Sequence, residues 1–140
     1  MNGLEGLIRL NKWKLDEKRQ ALAELERLAQ RLRDQLVALE RELAAEQKIA
    51  GESVEAGMAY AYYADGVMMR RETINRSLAE VEGQIRLALD EVAEAFRDLK
   101  KFDIVKARRD REAAEKAKRL QQSLLDEMGL QLHRRSGENA

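Results

Sequence analysis

The sequence predicts an all-α protein, a long antiparallel two-helix coiled-coil hairpin with unequal arms. Three observations predict it. The 140-residue chain has no proline, 4% aromatic and 37% charged residues, a bias toward Leu, Ala, Glu, Lys and Arg that belongs to long helices rather than to packed globular cores. Apolar residues recur in alternating steps of four and three along two long segments, the a/d seam of a heptad repeat. Between these segments lies AGESVEAGMAYAYYADG (50–66), where Gly51, Gly57 and Gly66 break the pattern.

The first segment carries Leu4, Ile8, Asn11, Leu15, Lys18, Leu22, Leu25, Ala29, Leu32, Leu36, Leu39, Leu43, Glu46 and Ala50. It predicts helix 1 over about 3–50. Asn2 followed by Glu5 has the spacing of a capping box at its start. The glycines predict a hairpin tip over about 51–66, because each costs roughly 1 kcal/mol against alanine inside a helix; MAYAYYA is compatible with continued helix. The second seam runs Val67, Arg71, Ile74, Leu78, Val81, Ile85, Ala88, Val92, Ala95, Leu99 and Phe102, then Lys106, Arg109, Ala113, Lys116 and Leu120. It predicts helix 2 over about 67–128, with Gly129 as a stop and a frayed tail over 129–140, all within one coiled-coil domain (1–140). At about 1.5 Å per residue the arms measure about 70 and about 90 Å, a thin rod.

A turn centred near residue 59 places Leu43 beside Ile74, Leu32 beside Ile85 and Leu22 beside Phe96. Lys18 then falls near Leu99 and Phe102, and Asn11 near Lys106 and Arg109. Polar residues interrupt both seams at one level, and a buried unpaired cation costs several kcal/mol, so these heads must reach water or a partner. The seam fails where the hairpin opens toward its termini. Charge divides similarly. Residues 44–96 hold five basic and ten acidic residues, 97–140 twelve basic and eight acidic, and 1–43 nine and eight. A formally neutral chain thus has an acidic tip and a basic open end, an asymmetry that orients encounters with charged partners.

Chemistry is nearly absent. The chain has no cysteine and one histidine, His133, so disulfides, thiolate metal sites and a histidine-based nucleophilic triad are excluded on inventory. No GxxxxGK[ST] loop is present for nucleotide phosphates. Neighbouring carboxylates such as Asp16–Glu17 and Asp126–Glu127 diverge by about 100° on a helix, a poor geometry for acid–base work. The expectation is a non-enzymatic protein with no catalytic residue, cofactor or metal. No apolar run approaches the roughly 20 residues of a membrane span, and neutrality argues against bulk nucleic-acid binding.

LEGLIRLNKWKLDEKRQALAEL near the N-terminus, the glycine-interrupted middle with its tyrosines, INRSLAEVEGQI and DREAAEKAKRLQQSLLDEMGL together resemble the FliJ family of the bacterial flagellar type III export apparatus. The resemblance extends over essentially the whole chain in length and layout. It implies a hairpin similar to the central stalk of rotary ATPases, cytoplasmic and peripheral at the inner face of the cell membrane. Its open end would insert into the hexameric export ATPase, and its opposite region would contact the cytoplasmic domain of the export gate; some members also bind substrate chaperones. On that basis Trp13, Lys106, Arg108, Arg109, Arg111 and Lys116 are candidate ATPase-ring contacts. Tyr60, Tyr62, Tyr63, Met68, Ile74, Leu78, Val81 and Ile85 are candidate gate or chaperone contacts.

Plainer readings stand beside these. The basic stretch 100–119 is also an ordinary solvated helix face, supported by i,i+4 pairs Glu112–Lys116 and Glu115–Arg119 worth tenths of a kcal/mol each. Trp13, at an outward position, either anchors an interface or packs on Leu10 or a curled C-terminal segment. The tyrosines, with Met58, Met68 and Met69, either plug the tip or form an adaptable docking surface. Ile74, Leu78, Val81 and Ile85 are seam residues first, and meet a partner only where the hairpin leaves them uncovered. The competing function is a self-associating structural or adaptor coiled coil with no ATPase partner, for which tetramers or bundles through residues 22–43 are expected. A nucleic-acid binder using 97–119 would show steeply salt-dependent affinity.

Overall fold

The chain reverses in three residues, Gly51–Ser53. In the computed structural model, which describes residues 3–138, α1 spans Gly3–Ala50 and α2 spans Val54–Glu138. The result is an all-α two-helix hairpin. Glu52 N–H closes the end of α1 on the Ile49 carbonyl at 3.1 Å. Ser53 then caps α2: its Oγ accepts from Ala56 N–H at 3.0 Å, and its carbonyl accepts from Gly57 N–H at 3.0 Å. A side-chain oxygen at this position satisfies one of the four donors that every helix start leaves open. Glu55 in the first turn of α2 adds a carboxylate where the helix dipole favours one.

This narrows the tip expected over 51–66. Residues 54–66 are helical, and Gly57 and Gly66 lie inside α2. Among the described residues no glycine has positive φ, so no glycine is required for a left-handed turn. The tail expected to fray over 129–140 is likewise helical through Glu138. Gly129 costs about 1 kcal/mol in a helix, too little to stop one that meets no proline and no competing cap. The capping box at Asn2 lies outside the described residues, as do the last two residues of the SGENA tail.

The chain forms two compact units, Lys12–Phe96 and Met1–Asn11 with Arg97–Ala140. The hairpin unit, Lys12–Phe96, buries Leu15, Ala29 and Leu39 from α1 and Val67, Val81 and Ala88 from α2. The intervening seam residues Leu22, Leu25, Leu32, Leu36, Leu43, Ile74, Leu78, Ile85, Val92 and Ala95 are half-buried. With one facing helix to cover them, these residues keep a rim open to solvent. Glu46, at an a/d spacing, is exposed. The seam also continues toward the turn through Ala56, Tyr60 and Tyr63.

Cross-helix ion pairs give the register. Arg71 Nη2 meets Glu40 at 3.7 Å, Arg33 Nη2 meets Glu82 at 3.5 Å, and Lys18 Nζ donates to Glu91 at 3.2 Å. Each α2 partner lies nearer the turn than a bend at residue 59 would place it; Lys18 reaches Glu91 rather than Leu99 and Phe102. The α2 partners lie seven, three and nine residues nearer the turn than that bend implies, a slide of about one heptad, so seam still faces seam. These pairs are solvent-exposed, of the kind worth about 0–1 kcal/mol each; they mark the register, while apolar burial holds it.

In the terminal unit, the first turns of α1 bury Leu4, Ile8 and Asn11, and on α2 Leu99 and Phe102 are half-buried. Asn11 does not share its level with Lys106 and Arg109, as the longer register would have it. Its Nδ2 donates to the Leu7 carbonyl at 2.7 Å, which satisfies a buried amide within its own helix. Phe102 is the last covered residue of α2, and from Asp103 to Glu138 every residue is exposed.

Candidate functional site

Two surfaces stand out, one in each unit. The first is the bare part of α2, residues 103–138. Lys106, Arg108, Arg109, Arg111 and Lys116 all lie on it and all are exposed. Among the described residues none of these cations is within ion-pair distance of a carboxylate; the ion pairs present are Lys18–Glu91, Arg33–Glu82, Arg71–Glu40 and Arg76–Glu72, all in the hairpin unit. Strong helix formers carry the segment without tertiary cover, helped by local bonds such as Gln122 Nε2 to Asp126 Oδ1 at 3.2 Å. Apolar residues are exposed here too: Ile104, Leu120, Leu124, Leu125, Met128, Leu130 and Leu132. Trp13, the remaining candidate for the same partner, lies in the hairpin unit and is 60% exposed.

The second surface is the outward face of α2 beside the turn. The structure separates the three tyrosines that the sequence groups together. Tyr60 and Tyr63 point along the seam side and are half-buried; Tyr63 Oη donates to Glu42 at 3.2 Å. Burial first, and then the Glu42 carboxylate, push the Tyr63 phenol above its ordinary range, with Glu46 adding to the effect and Arg70 opposing it. Tyr62 faces away and is 86% exposed. Val54, Met58 and Tyr62 follow one another at steps of four and continue into Met69, with Met68 on the flank; all are exposed. Met68, Met69, Asp65, Glu72, Arg71 and Arg76 line a shallow groove along this face. Apolar side chains flanked by both charge signs, presented opposite the seam, make a surface that a hairpin does not need for its own folding.

The remaining candidates sit in the seam. Val81 is buried, and Ile74, Leu78 and Ile85 are half-buried, so in the closed hairpin Val81 has no surface to offer and the others offer only rims. Sequence reasoning misses Val54, and groups Met58 and Met69 with the tyrosines as a plug or docking surface without naming them as gate contacts. Val54, Met58 and Tyr62 at steps of four, with Met69 seven residues on, lie on the face opposite Tyr60, Tyr63 and Val67, and that spacing identifies the face once the turn is placed at 51–53.

Among the described residues no group of His, Asp or Glu is arranged to hold a metal ion, and no helix is long and apolar enough to cross a membrane. The family model described as flagellar FliJ protein matches residues 1–138 of the chain. The chain belongs to the FliJ family. Membership makes it a flagellar export-related coiled-coil protein, in agreement with its two-helix hairpin. No curated protein and no solved structure matches this FliJ-family chain.

Proposed function

We propose that the protein is a non-enzymatic stalk of the flagellar type III export apparatus, acting at the cytoplasmic face of the membrane. Its terminal unit seats in the hexameric export ATPase, and the outward face beside the turn meets the cytoplasmic domain of the export gate, with substrate chaperones as further partners. One observation carries the reading: α2 continues from Asp103 to Glu138 with no covering helix while presenting unpaired Lys and Arg side chains. A helix of that length exposes far more surface than its own folding uses, and its cations suit an acidic-lined partner. The exposed Val54–Met58–Tyr62–Met69 face supports the gate contact, because Met and Tyr surfaces adapt to partner shapes.

The test is co-purification with the export ATPase and measurement of its ATP turnover. Arg108→Glu, Arg109→Glu and Arg111→Glu together should abolish association and any stimulation while helicity by circular dichroism is unchanged. Full stimulation by the triple variant would remove the basic helix from the ATPase contact. Tyr62→Ala should weaken capture of the gate domain with no loss of melting temperature, since Tyr62 makes no contact that folding needs. Undiminished capture would move the gate contact off this face.

A further inference from the structure

The bare part of α2 is amphipathic as well as basic. Ala113, Ala117, Leu120, Leu124, Met128 and Leu132 follow at steps of four and three, on one side of the helix. All are exposed, the four large ones at 60, 61, 58 and 62%. A continuous apolar stripe with nothing over it calls for a partner. We propose that this stripe pairs with the same stripe of a second copy of the chain, in antiparallel orientation, to give a reversible homodimer.

The stripe's own sequence favours that occupant. Its small residues lie at one end and its large ones at the other. An antiparallel pair with its two-fold axis between Gln122 and Ser123 sets Ala113 against Leu132 of the second copy and Ala117 against Met128, twice over, so small fills against large. The polar residues bounding the stripe, Asp110 at one end and Arg135 at the other, fall opposite each other with complementary charge. On one rim Lys116 comes within reach of Glu127 of the second copy, the pairing that antiparallel rims require. The parallel alternative does the reverse: it sets Asp110 on Asp110, Arg135 on Arg135 and alanine on alanine, leaving like charges and voids. Arg109 and Arg134 approach each other in the antiparallel register, but both lie at its outer edge, where their guanidinium heads can turn to water.

The proposal goes beyond the stalk reading and stands or falls without it, because it concerns the isolated chain. Sedimentation equilibrium from low-micromolar to submillimolar concentration should show reversible association to two copies. Leu124→Asp should abolish it, and Lys116→Glu should weaken it about tenfold, with Glu127→Lys in the same chain restoring it. The chain has no cysteine, so orientation is readable by oxidation. The double variant Ala117→Cys with Met128→Cys should give covalent dimers, and Ala117→Cys alone should not. A single mass throughout overturns the proposal, as does crosslinking by Ala117→Cys alone. If Leu124→Asp leaves the mass unchanged yet lowers ATPase association, the stripe belongs to the ring and the dimer is refuted.

Discussion

Tyr63 shows how a seam residue near the turn acquires chemistry. Its ring is half-buried on the seam side of α2 and its hydroxyl donates to Glu42, so burial first, and then the neighbouring carboxylate, oppose ionising the phenol. The phenol is therefore raised above its ordinary value. A proton held more tightly in the folded than in the unfolded chain means that stability is intact below the unfolded phenol's pKa, about 10, and is lost as pH rises through the higher folded value. Melting temperature should fall from about pH 10 upward, and Tyr63→Phe should flatten that decline. An unchanged alkaline slope in Tyr63→Phe would assign the loss to other groups. Asn11 makes the complementary point: a buried amide on an apolar seam is satisfied by the Leu7 carbonyl one turn back, so it needs no partner across the helix pair.

At the scale of elements, Ser53 starts α2 just after Glu52 closes α1, while two of the three mid-chain glycines are passengers. Ser53→Ala removes the oxygen that accepts from Ala56 N–H, a cap worth about 0.5–2 kcal/mol. Gly66→Ala adds a methyl that would meet nothing within 4 Å and removes glycine's entropy cost of roughly 0.5–1 kcal/mol. Urea melts should move in opposite directions, down for Ser53→Ala and up for Gly66→Ala; movement in the same direction would contradict this account of the turn. The seam positions were legible in the sequence because heptad spacing states which side chains face the other helix. The turn was not, because three glycines outweigh one serine by composition, although only the serine has an oxygen that caps. Register was hidden for a deeper reason: a displacement by whole heptads leaves the pattern unchanged, and cross-helix pairs such as Arg33–Glu82 distinguish the alternatives only once the turn is fixed. The partner surfaces were partly legible. Exposed cations at 106–116 follow from a seam that turns polar, whereas Tyr62 could be told from Tyr60 and Tyr63 only after the seam was extended back to Ala56.

For the molecule as a whole, the two units differ in what sustains their helices. In Lys12–Phe96 each helix has apolar residues covered by the other, among them Leu15, Leu39, Val67 and Val81. From Asp103 onward α2 has none, and its backbone bonds depend on propensity and i,i+4 contacts worth tenths of a kcal/mol each. A helix without tertiary cover opens at far lower free energy than a packed one. Hydrogen exchange should therefore be steeply graded in dilute protein: amides of 106–135 exchange with little protection, while those of 15–45 and 67–95 are protected by several orders of magnitude. Equal protection in the two regions would mean that the bare helix already has a cover in solution. Adding the export ATPase should raise protection in 106–135 and leave 67–95 unchanged. Raising the concentration of the chain alone should protect 113–132 first, where the stripe pairs. The order and extent of protection thus separate an ATPase seat, which covers the cations from Lys106 onward, from a homodimer confined to the stripe.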